Sequence, residues 1–243
     1  IACLAYAGHR LWSGDRDGFL RSYCKRDGHW QPDSARRILD GAVLCLATRN
    51  AAQDGADPEL FLGGADGIVR TFRIHDGALA RAPHAERRGH PGFLHGLLYL
   101  CAEDQLLSAG EDGSLRRYPA DSELPDTVAE FAVPIHALAA DGAHVYAGLK
   151  SGEILVLDRR TLALRHRFRA HEGTVRAIAV LPDGRLASGG EDGSVVIVTT
   201  SDFTLQRRSQ HRDFVTAIAV LSDGNFVSAS YDGTLRRHSL LMP

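Results

Sequence analysis

The chain has 243 residues, 44% of them apolar, and a formal net charge of −2 at pH 7. No apolar run approaches the roughly 20 residues that a membrane-spanning helix needs, and no signal-peptide pattern opens the chain. The near-neutral charge argues against a general attraction to nucleic acid or an anionic membrane.

Read in order, the chain repeats one pattern six times: LWSGDRDGFLRSY from Leu11, LFLGGADGIVRTF from Leu60, LLSAGEDGSLRRY from Leu106, VYAGLKSGEILVL from Val145, LASGGEDGSVVIV from Leu186 and FVSASYDGTLRRH from Phe226. Each copy has an apolar run, a small-residue step, Asp-Gly or a relative of it, and a second apolar run. Such a pattern predicts a β-hairpin whose turn glycine tolerates positive φ. The turn glycines are Gly18, Gly67, Gly113, Gly152, Gly193 and Gly233, so the period is 39 to 49 residues. That period points to a propeller or a solenoid.

Ahead of each hairpin lies another apolar strand: CLAY at Cys3, CLAT at Cys45, GLLY at Gly96, ALAA at Ala137, AIAV at Ala177 and AIAV at Ala217. Its first position is always small, which implies crowding by a neighbouring element. After each hairpin but the last comes an outer strand: ARRIL at Ala35, ERRGH at Glu86, VAEFAV at Val128, RHRFRAH at Arg165 and LQRRSQH at Leu205. All but VAEFAV are rich in arginine, and charge on an outermost strand protects an open edge. The expected fold is therefore all-β, a six-bladed β-propeller of four-stranded antiparallel blades, with the last blade lacking its outer strand. One domain over 1–243 is expected, its blades at about 1–40, 41–89, 90–132, 133–170, 171–210 and 211–243, with surface loops at Ala51–Pro58 and Pro119–Thr127.

Cys3, Cys24, Cys45 and Cys101 form no CxxC pair and adjoin apolar runs, so they are expected to be reduced and buried in a cytoplasmic protein. The 26 arginines against 2 lysines suit a GC-rich bacterial genome. Because the chain opens on Ile1 and its last blade is short of a strand, a longer protein is expected, with a fused or upstream domain and with ring closure, or even a seventh blade, supplied from outside these residues.

These repeats resemble the WD-repeat family along nearly the whole chain. The family pattern is Gly-His before the inner strand, Ser or Thr in the second, Asp-Gly at the turn and Trp-Asp closing the third. Its histidine is matched by His90, His171 and His211, and its serine by Ser13, Ser108, Ser188 and Ser228. The turn aspartate is matched by Asp17, Asp66, Asp112, Asp192 and Asp232, with Ser151 in the fourth repeat. The Trp is lost, its place taken by Tyr23, Phe72, Tyr118, Leu157, Val198 and His238. The resemblance implies a structural hydrogen-bond network of His90, Ser108 and Asp112, of His171, Ser188 and Asp192, and of His211, Ser228 and Asp232. These triplets fix turns and are not hydrolase triads.

The resemblance also implies that the Asp-Gly turns and the loops entering the inner strands share one docking face. Carried over by position, that face holds Arg16, Pro91, Phe93, Glu111, Lys150, Glu172, Glu191, Arg212, Phe214 and Tyr231. Glu111, Glu172 and Glu191 predict acidic sectors, while Arg16, Arg212, Phe214 and Tyr231 predict a basic, aromatic one suited to an acidic protein or peptide. Two other constellations are weaker. Polar residues at His95, His136, Arg176 and Thr216 would line a channel site for a metal or small ligand, but lack the carboxylate a metal would want. The arginine pairs 36–37, 87–88, 116–117, 159–160, 207–208 and 236–237 would form a basic rim, without the aromatic platform that single-stranded nucleic acid requires. No catalytic residues, cofactor or metal are assigned. The function expected is a non-catalytic interaction scaffold or sensor, the alternative being channel-ligand binding or an enzyme of the propeller type.

Overall fold

The computed structural model describes residues 1–50, 57–119 and 122–240, all of them strand, turn or irregular backbone. Among the described residues no helix is long and apolar enough to cross a membrane. The strands form six blades, five with a four-stranded antiparallel path and the last with three strands. By contacts the chain divides into two compact units, Ile1–Glu130 and Phe131–Pro243.

The first unit holds three blades. Blade one is β1 (Cys3–Ala7), β2 (Arg10–Gly14), β3 (Phe19–Arg26) and β4 (His29–Arg37). Blade two is β5 (Val43–Arg49), β6 (Glu59–Gly64), β7 (Ile68–His75), β8 (Ala78–Leu79) and β9 (Ala85–Arg88). Blade three is β10 (Leu94–Leu100), β11 (Gln105–Gly110), β12 (Ser114–Pro119) and β13 (Thr127–Glu130). The short β8 corrects the expectation of four strands for blade two. It forms because Asp76 and Gly77 both take positive φ, 49° and 76°, the geometry of a tight hairpin turn that folds Leu79 back onto Ile74.

The second unit holds the remaining blades. Blade four is β14 (Ile135–Ala140), β15 (His144–Leu149), β16 (Glu153–Asp158) and β17 (Leu164–Arg169). Blade five is β18 (Val175–Val180), β19 (Leu186–Gly190), β20 (Ser194–Val198) and β21 (Leu205–Gln210). Blade six is β22 (Val215–Val220), β23 (Phe226–Ser230) and β24 (Leu235–His238), with β24 at its edge. Residues 51–56 and 120–121, parts of the two expected surface loops, lie outside the described residues.

Within each unit the core lies between successive sheets. Trp12 and Leu20 of blade one pack with Val43, Leu60 and Leu62 of blade two. Val195 and Ile197 of blade five pack with Val215 and Phe226 of blade six. This explains the small-residue steps. A Cβ at Gly148 would stand 2.7 Å from Val175 Cγ1, and one at Gly189 would overlap Val215 Cγ1 outright. Within each unit an aliphatic knob that opens an inner strand thus seats on a glycine of the preceding blade, Val43 on Gly14, Leu94 on Gly63, Val175 on Gly148 and Val215 on Gly189. A one-residue bulge between Val175 and Ala177, and another between Val215 and Ala217, turns the strand immediately after its knob.

Two sequence expectations need correction. Of the cysteines only Cys45 is buried. Cys3 and Cys24 are half-buried, and Cys101 is exposed because it stands in the turn between β10 and β11 rather than within a strand. Nor do the arginine pairs make a free basic rim. Arg87 is buried and donates to Thr71 Oγ1 at 2.7 Å and to the Ser122 carbonyl at 2.9 Å. Arg117 pairs with Asp126 at 3.0 Å, Arg207 with Asp192 at 3.5 Å and Arg237 with Asp223.

Candidate docking face

Hydrogen-bonded triplets hold the turns of blades three, five and six, and the local sequence explains why each of these turns is rigid. In blade five, His171 is fully buried beneath the β19–β20 turn. Its Nδ1 lies 3.0 Å from Asp192 Oδ1, and its Nε2 lies 2.8 Å from Ser188 Oγ. Asp192 also accepts from the Ser194 amide at 2.9 Å, from Ser194 Oγ at 2.7 Å and from the Glu172 amide at 3.1 Å. Beside it Gly193 takes a φ of 73°, with the carbonyls of His211 and Asp213 where a side chain would stand. Blade six repeats the arrangement, with His211 2.8 Å from Ser228 and 3.3 Å from Asp232. In the first unit, blade three does the same, with His90 2.7 Å from Ser108 and 3.0 Å from Asp112.

Electrostatics set the charge states of these sets. Burial pushes His90 and His171 below the ordinary imidazole range and outweighs the opposing pull of Asp112 and Asp192. Burial would raise Asp112 and Asp192, but the hydrogen bonds they accept win and hold both carboxyls below their usual range. The neutral imidazole therefore donates from Nδ1 to a carboxylate, and its Nε2 accepts from serine. Every proton is committed to a neighbour, and no nucleophile is left activated.

Sequence reasoning missed several members. Ser114, Ser194 and Thr234 follow the turn glycine and bond both the histidine and the aspartate of their own triplets. The Asp-Gly-Ser/Thr string common to blades three, five and six carries that signal. In blade one the turn acid is Asp15 rather than Asp17. Asp15 is buried, accepts from the amides of Asp17 at 3.0 Å and Phe19 at 2.9 Å, and pairs with Arg21. Here Asp-Arg-Asp-Gly offers two acids, and only Asp15 sits far enough back to cap the whole turn.

Of the expected docking residues, Arg16, Pro91, Phe93 and Glu111 fall in the first unit. Arg16, Pro91 and Phe93 are exposed, and the Phe93 ring meets His95 edge-on at 6.1 Å. Glu111 accepts from His95 Nε2 at 3.0 Å, so a carboxylate does stand beside that histidine. Lys150, Glu172, Glu191, Arg212, Phe214 and Tyr231 fall in the second unit. The acidic sector expected of blade five is neutralised. Glu191 takes a two-pronged bond from Arg176 and another from Thr174 Oγ1 at 2.8 Å, and Glu172 pairs with Arg169 at 3.0 Å.

Blade six differs. The Phe214 and Tyr231 rings lie 6.2 Å apart at 37°, held by the Tyr231 amide donating to the Phe214 carbonyl at 3.1 Å. Tyr231 is 57% exposed. Arg212 is anchored only through its backbone, whose amide donates to Asp232 at 2.9 Å, and its exposed guanidinium makes no ion pair among the described residues. Asp213, next to it, turns its carboxylate back onto the Phe214 amide at 2.7 Å. Arg212 and Phe214 border a cleft of about 530 Å³ whose other lining includes Glu191, Gln210 and Asp213.

The family model described as "WD domain, G-beta repeat" matches residues 162–199 and 202–238. The fold is similar to a chain in the solved structure titled "Crystal Structure of Mitotic Checkpoint Complex", with a TM-score of 0.80, 20% identity, and coverage of 96% of this chain and 72% of that one. The chain is thus a six-bladed β-propeller that carries WD repeats of the G-beta type at residues 162–199 and 202–238.

Proposed function

We propose that this propeller is a non-catalytic protein-interaction domain that takes a protein or peptide on its Asp-Gly turns, with Arg212, Phe214 and Tyr231 as the anchor. The observation that carries this reading is the contrast within the second unit. The carboxylates of blade five are spent on internal partners, whereas blade six offers an Arg212 guanidinium with no ion pair among the described residues, an exposed Tyr231 ring tilted against a half-buried Phe214, and a cleft bordered by Arg212 and Phe214. Arg and Tyr are the residue types that most often carry binding energy at protein interfaces, and rigid turns reduce the ordering cost of association. The uncommitted cation favours an acidic peptide. Propellers of this fold typically scaffold protein assemblies, and the similar structure is titled as a protein complex.

Affinity capture from lysate tests the reading, comparing wild type with a variant carrying Arg212→Glu, Phe214→Ala and Tyr231→Ala. A polypeptide retained by the first and lost by the second, with equal melting temperatures, supports the anchor. Equal retention rejects it.

A further inference from the structure

Three arginines of this chain grip a carboxylate side-on, with Nε and Nη2 as the two prongs: Arg167 on Glu153, Arg176 on Glu191 and Arg185 on Asp183. In the first unit Arg36, near the end of β4, is held the other way round. Both of its Nη atoms donate to the Ala80 carbonyl at 3.0 Å, and Nη1 also donates to the Arg81 carbonyl at 3.2 Å. The guanidinium lies over the buried Phe72 ring, 5.5 Å from its centroid. With a carbonyl seated between the two Nη atoms, the Nε–H and the Nη2 proton beside it have no acceptor among the described residues. The side-on fork is open.

The charge is uncompensated as well. Arg36 is half-buried, its acceptors are neutral carbonyls, and no carboxylate pairs with it among the described residues. Burial accordingly pushes it below the ordinary guanidinium value. An anion at the open fork would offset that penalty.

The surroundings match. Arg36 shares a cleft of about 190 Å³ with Arg37, Arg70 and Arg81, lined from blades one and two. Glu86 is the only carboxylate of that lining, and it is already taken by Arg70 at 3.2 Å and Arg88 at 3.4 Å. Arg81 is exposed and makes no ion pair among the described residues. A drug-sized ligand needs roughly 300–1,000 Å³, so this cleft takes a small anionic group. Two uncompensated guanidiniums, one of them a planar fork, suit the several oxygens and double charge of a phosphate better than a single carboxylate.

We propose that Arg36 and Arg81 form a phosphate-binding site in this cleft, Arg36 gripping two phosphate oxygens through Nε and Nη2 and Arg81 neutralising the remaining charge. The site shares no residue with the Arg212 anchor.

Titration calorimetry of the 243-residue protein at constant ionic strength tests this, with inorganic phosphate and glycerol phosphate as probes. Wild type is expected to bind with saturation at one site, and the tighter probe tells whether the ligand is the free ion or an ester. Arg36→Lys keeps the charge but removes the fork, and Arg81→Ser removes an exposed charge. Each should weaken binding about tenfold while circular dichroism shows the fold intact. Arg212→Glu should bind as wild type does. No saturable binding of either probe overturns the proposal, and so does binding that Arg36→Lys or Arg81→Ser leaves unchanged. An equal loss in Arg212→Glu would mean diffuse attraction and overturns it too.

Discussion

His238 Nε2 lies 2.9 Å from Ser228 Oγ, while its ring stacks on Phe226 with centroids 4.5 Å apart and planes 12° from parallel. His238 occupies the position of the lost tryptophan and performs both of its jobs, a flat apolar face for packing and a ring N–H for the network. Ser228 Oγ also lies 2.8 Å from His211 Nε2, and His211 Nδ1 lies 3.3 Å from Asp232, so Asp232, His211, Ser228 and His238 form one connected set.

His238→Ala should therefore cost about 1–2 kcal/mol by removing one hydrogen bond and the stacking surface. His238→Trp should recover most of that loss, since indole supplies both the face and the donor. Chemical denaturation of the three proteins is the check, and no recovery by Trp would break the equivalence.

Asp192→Ala should be more severe. It strands a buried His171 and leaves the amides of Ser194 and Glu172 without their acceptor, at about 2–3 kcal/mol. Asp192→Asn keeps an acceptor for the amides and should lose less. The two variants should separate in a urea titration without a change of slope.

Acid should destabilise the fold in two stages. The folded state holds His90 and His171 below their unfolded value, so it binds fewer protons than the unfolded chain. Stability is then lost as pH falls below about 6.5 toward the folded values. Asp112 and Asp192 are also held low when folded, so their contribution persists above about 3.9 and is lost only as pH falls further, through their folded values. Both signs agree: stability rises with pH across the acid range. Melting temperatures in matched buffers test this, and His171→Gln should flatten the upper stage.

The knob-and-step contact predicts a coupled pair. Gly189→Ala overlaps Val215 and should cost about 1–3 kcal/mol. Gly189→Ala with Val215→Ala should cost less than the sum of the single changes, because the second relieves the clash made by the first. Additive losses would mean that the two residues do not meet.

Much of this was readable from residue order. Five Asp-Gly hairpins and one Ser-Gly hairpin, at a period of 39 to 49 residues, fix strand polarity and blade count, because turn chemistry is local and repeats. The histidine, serine and aspartate of three triplets were equally plain. What escaped depends on contacts the spacing does not encode. Asp15 displaces Asp17 because a turn is capped from two residues back. Glu191 looked like an exposed acid, yet Arg176, fifteen residues earlier, reaches it across the β18–β19 pair. Arg87 looked like edge protection, but its guanidinium is buried against Thr71. Charge in a sequence gives the sign of a side chain and says nothing of its partner.

The anchor is tested most directly by titration calorimetry of an acidic peptide, selected on the immobilised domain, against wild type and Arg212→Glu. The account predicts at least a tenfold weaker dissociation constant for the variant, about 1.4 kcal/mol, with a further loss when Tyr231→Ala is added. Unchanged affinity in both variants would contradict it and remove blade six from the docking face.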